Sequence, residues 1–214
     1  LPDQIMASSG FDALSQATES YWSINSTKQS KSIARSAITK ILNSFSQALF
    51  ERNPDAIKEM CFAAYLAGKA INITKTTAPH AISYPITTFH NVPHGHAVAL
   101  NLGEFFIINS DVIENKVTDR RGKDFLQRVM QELFEVYGCS NAEDSRNKWY
   151  DMMKCFGLKS NLRELGIKTD TDIKKILDNI NIERLRNNPI EVDEEILYKL
   201  LAKKTCRSLE PVKT

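Results

Sequence analysis

Apolar side chains recur at four-residue steps through Ile33, Ala37, Ile41, Phe45 and Leu49, which predicts one long amphipathic helix with Thr27 as its N-cap. The next segment, "NPDAIKEMCFAAYLAGKAI", supplies Asn53 as a cap and Pro54 at the first helical position. It is apolar around most of its circumference from Cys61 to Ala67, so it is expected at the centre of the fold. "GKDFLQRVMQELFEVYG" repeats the pattern with Phe125, Val129, Leu133 and Val136 and stops at Gly138. "DTDIKKILDNI" and "VDEEILYKLLAKK" each open with a carboxylate-rich turn, and the second closes on lysines, matching the helix dipole. No run alternates as a strand does, and no internal repeat or low-complexity segment occurs. The chain is therefore expected to be an all-α helical bundle, one domain over 1–214, with its core in 1–110 and a more charged, peripheral helical part in 111–214.

Composition narrows the function classes. With 42% hydrophobic and 25% charged residues the chain is an ordinary globular protein, and a net charge of +2 is too small to argue for nucleic acid or an anionic membrane surface. The most apolar run, Ala97 to Ile108, is short and contains Asn101 and Glu104, so no membrane span is expected. The opening "LPDQIMASSG" lacks the basic and apolar segments of a signal peptide. Cys61, Cys139, Cys155 and Cys206 stand far apart with no C-x-x-C pair, and read as buried or incidental thiols of a reducing, cytoplasmic compartment.

The chemistry concentrates in "PHAISYPITTFHNVPHGHA". All four histidines of the chain, His80, His90, His94 and His96, lie in this one stretch. A lone buried histidine is usually a satisfied core residue, but clustering favours metal ligation, because neutral imidazole is the commonest side-chain ligand for Fe and Zn. Pro93 cannot sit inside a helix, so one helix is expected from about Ala81 to His90 and a second from Pro93. His80 would then lie just before the first and His94 in the first turn of the second, where the two can converge. A second cluster lies near the start, in "SSGFDALSQATESYW". A helix capped by Ser8 or Ser9 sets Asp12 and Gln16 on one face, four residues apart. By spacing alone, Asp12 reads as a first-turn carboxylate favoured by the dipole and Gln16 as a solvated polar residue.

Taken together, "GFDALSQATESYW", "AAYLAGKAI" and "PHAISYPITTFHNVPHGHAVAL" resemble the C-terminal helical domain of the iron-containing (group III) alcohol dehydrogenases. That family carries a G-x-D-A-L-x-H-A-x-E segment, a small-residue helix and two histidines 14 apart, the second within P-H-G. The resemblance implies that Asp12, His80 and His94 are metal ligands and that the remaining ligand position, usually histidine, falls on Gln16. It further implies a bound Fe2+ or Zn2+, a small aldehyde or alcohol as substrate, and NAD(P)H carried by a preceding nucleotide-binding α/β domain. Tyr84 and His90 are then expected to line the catalytic pocket with Phe89, and His96 to support or pack. The wording "SYPIT…PHGHA" with Gln16 in the ligand position is similar to the phosphonoacetaldehyde reductase branch.

No G-x-G-x-x-G or glycine-rich phosphate loop occurs here, and the chain opens at Leu1 rather than at methionine. The expectation is the metal-binding half of a longer, homodimeric enzyme, inactive by itself. Two other readings stand beside it. A metal-dependent hydrolase would be supported by adjacent His-Asp pairs, which the sequence lacks. A non-catalytic helical interaction domain that has lost its metal would be supported by Gln16.

Overall fold

Each apolar stripe of the sequence falls on a helix. The computed structural model describes residues 1–112 and 116–205, which contain α1 (Asp3–Trp22), α2 (Lys28–Phe50), α3 (Pro54–Thr74), α4 (Ala78–His90), α5 (His94–Ile108), α6 (Lys123–Tyr137), α7 (Ala142–Cys155), α8 (Asp170–Leu177), α9 (Ile182–Leu185) and α10 (Glu194–Thr205). A 3-10 turn, Leu162–Leu165, links α7 to α8. Among the described residues the only β pairing is an isolated antiparallel bridge between Val117 and Ile190, so the fold is all-α.

The caps sit where the side chains can satisfy orphan N–H groups. Thr27 accepts from the Ser30 N–H while the Ser30 hydroxyl accepts from the Thr27 N–H, a reciprocal capping box. Asn53 caps α3 through the N–H groups of Asp55 and Ala56. Gly138 ends α6 with φ 64°, in the left-handed region where a glycine has no Cβ to clash.

Three expectations are corrected. α1 does not begin at Ser8 or Ser9; it begins five residues earlier, after Pro2, with no side-chain cap. Asp12 therefore lies in mid-helix, away from the favourable end of the dipole. α4 begins at Ala78, with Pro79 in its first turn, and so includes His80. The third correction concerns which helix is central. α3 buries only Ala56, Ala63, Ala67, Ala70 and Thr74, while Phe62 and Tyr65 are exposed. Its alanines form a narrow flat stripe that lets α2 approach closely, and the bulky residues point away from it. The central helix is α5, buried on nearly every side from Gly95 to Phe106 and packed against α1, α4 and α7.

The core is continuous from Ala7 to Leu201. Its aromatic centre joins Phe11 of α1 to Phe45 of α2 and, edge-on at 5.3 Å, to Trp149 of α7. Each such fully buried ring contributes roughly 2–3 kcal/mol by area, and each ring pair about 1 kcal/mol more. Cys61 and Cys155 are exposed and Cys139 half-buried, all three free thiols, whereas Cys206 lies outside the described residues. No helix among the described residues is long and apolar enough to cross a membrane.

Candidate metal centre

Two helix crossings bring the distant residues together. α5 presses its first turn onto α1 at Gly95, where an added Cβ would come within 2.1 Å of the Ser8 carbonyl oxygen. Only glycine permits that approach. Pro93 offers α5 no side-chain cap, and the Ser8 hydroxyl supplies one from α1 by accepting from the His96 N–H at 3.1 Å. Ser8 is thus a cap, as its residue type suggested, but for α5 rather than for its own helix. The crossing sets His94, the residue before Gly95, opposite Asp12.

The second crossing depends on Glu19, a residue to which the sequence analysis assigned no role. Its side chain is completely buried. One carboxylate oxygen accepts from the Thr77 N–H at 2.5 Å and from the Thr77 hydroxyl at 2.8 Å; the other meets His80 Nδ1. Trp22 Nε1 in turn donates to Thr77 Oγ1 at 3.0 Å. A carboxylate from α1 therefore holds the N-terminus of α4, where backbone N–H groups and the helix dipole favour negative charge. Asp12, Gln16 and Glu19 occupy positions i, i+4 and i+7 of one helix face, a spacing that could have exposed Glu19 in the sequence.

The result is a three-residue cluster. Asp12, His80 and His94 each offer a ligand atom, and the three atoms lie within 4.8 Å of one another. His80 Nε2 is 3.4 Å and His94 Nε2 3.9 Å from Asp12 Oδ1. That oxygen is buried and makes no hydrogen bond, and the cation that faces it is the His80 imidazolium. Two imidazole nitrogens and one carboxylate oxygen aimed at a common point suit Fe2+ or Zn2+, and the residues fit such an ion. Gln16 stands beside them, its amide nitrogen donating to Asp12 Oδ2 at 3.1 Å.

Electrostatics follow from the same contacts. Burial alone would push the His80 imidazolium down, but Glu19 on one ring nitrogen and Asp12 on the other outweigh it and hold His80 at about 9. A metal cation bound in the cluster would take the place of that proton. His94 is lowered, chiefly by desolvation, with Asp12 opposing, and so presents a neutral ring. A cleft of about 340 Å³ lined by Gln4, Ile5, Ser8, Pro93, Asp12 and His94 leads to the cluster from the surface.

The other expected residues divide. Tyr84 stacks on His94 with ring centroids 5.4 Å apart and planes at 28°. His90 stands at the far end of α4, about 15 Å along the axis from His80 at 1.5 Å per residue. Its charged neighbours are Asp172 and Lys175 of α8. Phe89 lies beneath Lys175 Nζ at 4.2 Å. His96 is buried, with Nε2 2.7 Å from the Lys159 carbonyl oxygen, and packs rather than joining the cluster.

Residues 6–205 match the family described as Fe-containing alcohol dehydrogenase family, C-terminal. The chain is 30% identical over 203 residues to phosphonoacetaldehyde reductase of Streptomyces viridochromogenes, covering 94% of this chain and 50% of that protein. It is 26% identical over 207 residues to alcohol dehydrogenase 4 of Saccharomyces cerevisiae, covering 95% and 51%. The crystal structure of sulfoacetaldehyde reductase from Bifidobacterium kashiwanohense in complex with NAD+ superimposes with a TM-score of 0.84 at 29% identity, over 97% of this chain and 52% of that one. The chain thus spans about half the length of these relatives. The match over residues 6–205 makes the chain a member of the Fe-containing alcohol dehydrogenase family, corresponding to that family's C-terminal domain.

Proposed function

We propose that this chain is the metal-binding half of an NAD(P)-dependent alcohol dehydrogenase or aldehyde reductase, with Asp12, Gln16, His80 and His94 as the ligands of an Fe2+ or Zn2+ ion. The observation that carries this reading is the buried Oδ1 of Asp12, which makes no hydrogen bond and faces two imidazole nitrogens. When bound, the ion supplies Lewis acidity that polarises the carbonyl oxygen of an aldehyde. The chain's own residues prepare the site. Glu19 would keep the proton on His80 Nδ1, so that Nε2, which faces Asp12, is the nitrogen freed for a cation when its own proton is displaced. Gln16 either fixes the second Asp12 oxygen through its amide N–H or, with the amide turned about the last side-chain bond, offers Oε1 as a metal ligand. Tyr84 covers one face of His94 and limits water there. The nicotinamide nucleotide is assigned to a domain outside this chain, and the free thiols support a cytoplasmic setting. Phosphonoacetaldehyde is the first substrate to try, by likeness to the Streptomyces relative.

Metal analysis of the purified chain after anaerobic incubation with Fe2+ or Zn2+ tests the ligand set. About one ion per chain is expected, lost in Asp12→Ala, His80→Ala and His94→Ala and kept in His96→Ala. Full occupancy in Asp12→Ala or His94→Ala would sink the reading, as would a full-length protein that oxidises neither NADH nor NADPH with any aldehyde.

A further inference from the structure

Arg184 lies beside this site with no carboxylate in ion-pair contact. Among the described residues it is the one arginine that is half-buried without a carboxylate partner: Arg146, also half-buried, pairs with Glu143, and the other unpaired arginines are exposed. Its position is built. The short helix α9 packs on α4, and Nη1 donates to the Thr76 hydroxyl at 2.7 Å, just ahead of the first turn of α4. The guanidinium carbon stands 5.1 Å from the centroid of the Tyr84 ring, which itself stacks on His94 at 5.4 Å. The cation is therefore two ring spacings from a metal-ligand candidate. That single bond to Thr76 leaves most of the five guanidinium donors unused.

Charge balance shows what those donors suit. The carboxylates of Asp12 and Glu19 offset the two charges of a divalent ion, so Arg184 leaves the occupied site with net positive charge. A guanidinium in a partly desolvated position favours a planar or tetrahedral oxyanion, to which it can donate two parallel hydrogen bonds. The Tyr84 ring neighbours both, 5.1 Å from the Arg184 guanidinium carbon and 5.4 Å from the His94 ring.

We propose that Arg184 is the specificity-determining residue of the site and binds the anionic end of a short aldehyde whose other end is the carbonyl. The class is an ω-oxyanion aldehyde: phosphonate, sulfonate or carboxylate. This rests on the aldehyde reductase reading above and adds a residue and a charge to it.

The test uses the full-length enzyme with four aldehydes: phosphonoacetaldehyde, sulfoacetaldehyde, succinic semialdehyde and neutral propionaldehyde. For the wild type, kcat/KM on at least one anionic aldehyde exceeds that on propionaldehyde, and the best of the three identifies the anion. Arg184→Gln lowers that anionic-to-neutral ratio by about 10- to 100-fold, the usual worth of a charged hydrogen bond. Arg184→Lys, which keeps the charge but loses the fork, falls between. Calorimetric binding of the corresponding alcohols, 2-hydroxyethylphosphonate, isethionate and 4-hydroxybutyrate, weakens in parallel without reliance on turnover. Activity confined to neutral aldehydes, or an unchanged ratio in Arg184→Gln, overturns this inference and leaves the oxidoreductase reading intact. Equal losses on all four aldehydes in both variants overturn it as well, since that marks a structural residue. Absence of any aldehyde-dependent NAD(P)H oxidation in the wild type removes the underlying reading, and this inference with it.

Discussion

Glu19 shows how much of a site can depend on a residue that need not touch the ligand. Its carboxylate is buried, bridges Thr77 and His80, and sets which nitrogen of His80 faces Asp12. Orienting groups of this kind typically change metal affinity by about 10- to 100-fold. Glu19→Gln, which keeps the shape but cannot hold the imidazole in the same way, is expected to weaken Zn2+ binding by that factor while the helical circular dichroism stays unchanged. Gln16 makes the contrasting case. If its amide oxygen is a ligand, Gln16→Ala lowers occupancy and Gln16→His raises it, because imidazole is the better donor for Fe and Zn. Competition against a chromophoric chelator measures both. Unchanged affinity in Gln16→Ala would reduce Gln16 to a hydrogen-bond partner of Asp12.

At the scale of elements, small residues decide how closely helices approach and hence where ligands land. Gly95 and Gly68 both sit inside helices, yet their surroundings are opposite. A methyl group at Gly95 would strike the backbone of α1, which cannot yield as a flexible side chain does, while Gly68 has no atom within 4 Å of the equivalent position. Gly95→Ala is expected to lower stability by about 1–3 kcal/mol and to draw His94 away from Asp12, abolishing metal binding. Gly68→Ala is expected to raise stability by about 1 kcal/mol through helix propensity alone. Urea denaturation of the two variants, with metal content measured alongside, checks the pair. Equal effects would show that the α1–α5 contact is not limiting.

Across the whole molecule, one continuous core ties the later helices to the earlier ones, and a buried lysine sits at their junction. Lys204 of α10 lies 4.1 Å from the centre of the Tyr150 ring of α7 and close to Glu104 of α5. Desolvation drives it down to about 8 from the ordinary 10.5, although Glu104 opposes the shift. The folded chain therefore binds this proton less tightly than the unfolded chain does. The cost is full below about pH 8 and fades as pH rises toward 10.5. Lys204→Met, which preserves the stem against Tyr150, is expected to stabilise the chain by about 1–3 kcal/mol at pH 7, with a smaller gain at pH 9.5. Comparing the variant with the parent at each pH cancels the tyrosines, whose buried hydroxyls titrate high in both. A gain that is flat with pH would mean that Lys204 carries no shifted proton.

Helix positions were legible because apolar periodicity and caps are local: Thr27, Asn53 and Gly138 mark ends by chemistry that involves only their near neighbours. The histidine pair and Pro93 were legible for the same reason, since a proline break and a clustered residue type are properties of a short window. The order of packing was not. Cys61 to Ala67 and Ala97 to Ile108 are both apolar runs, and only tertiary packing decided that α5 is central while α3 turns Phe62 and Tyr65 to solvent. Ser8 was legible as a cap but not as the cap of α5, because its partner N–H is 88 residues away. Glu19 and Arg184 lie 61 and 100 positions respectively from His80 and Tyr84, the side chains they meet. The face shared with Asp12 and Gln16 marks Glu19 in the sequence, but nothing local marks Thr77 and His80 as its partners or Tyr84 as the neighbour of Arg184. Local patterning determined the helices and singled out the histidines, whereas the meeting of α1, α4, α5 and α9 decided which charged side chains lie near one another.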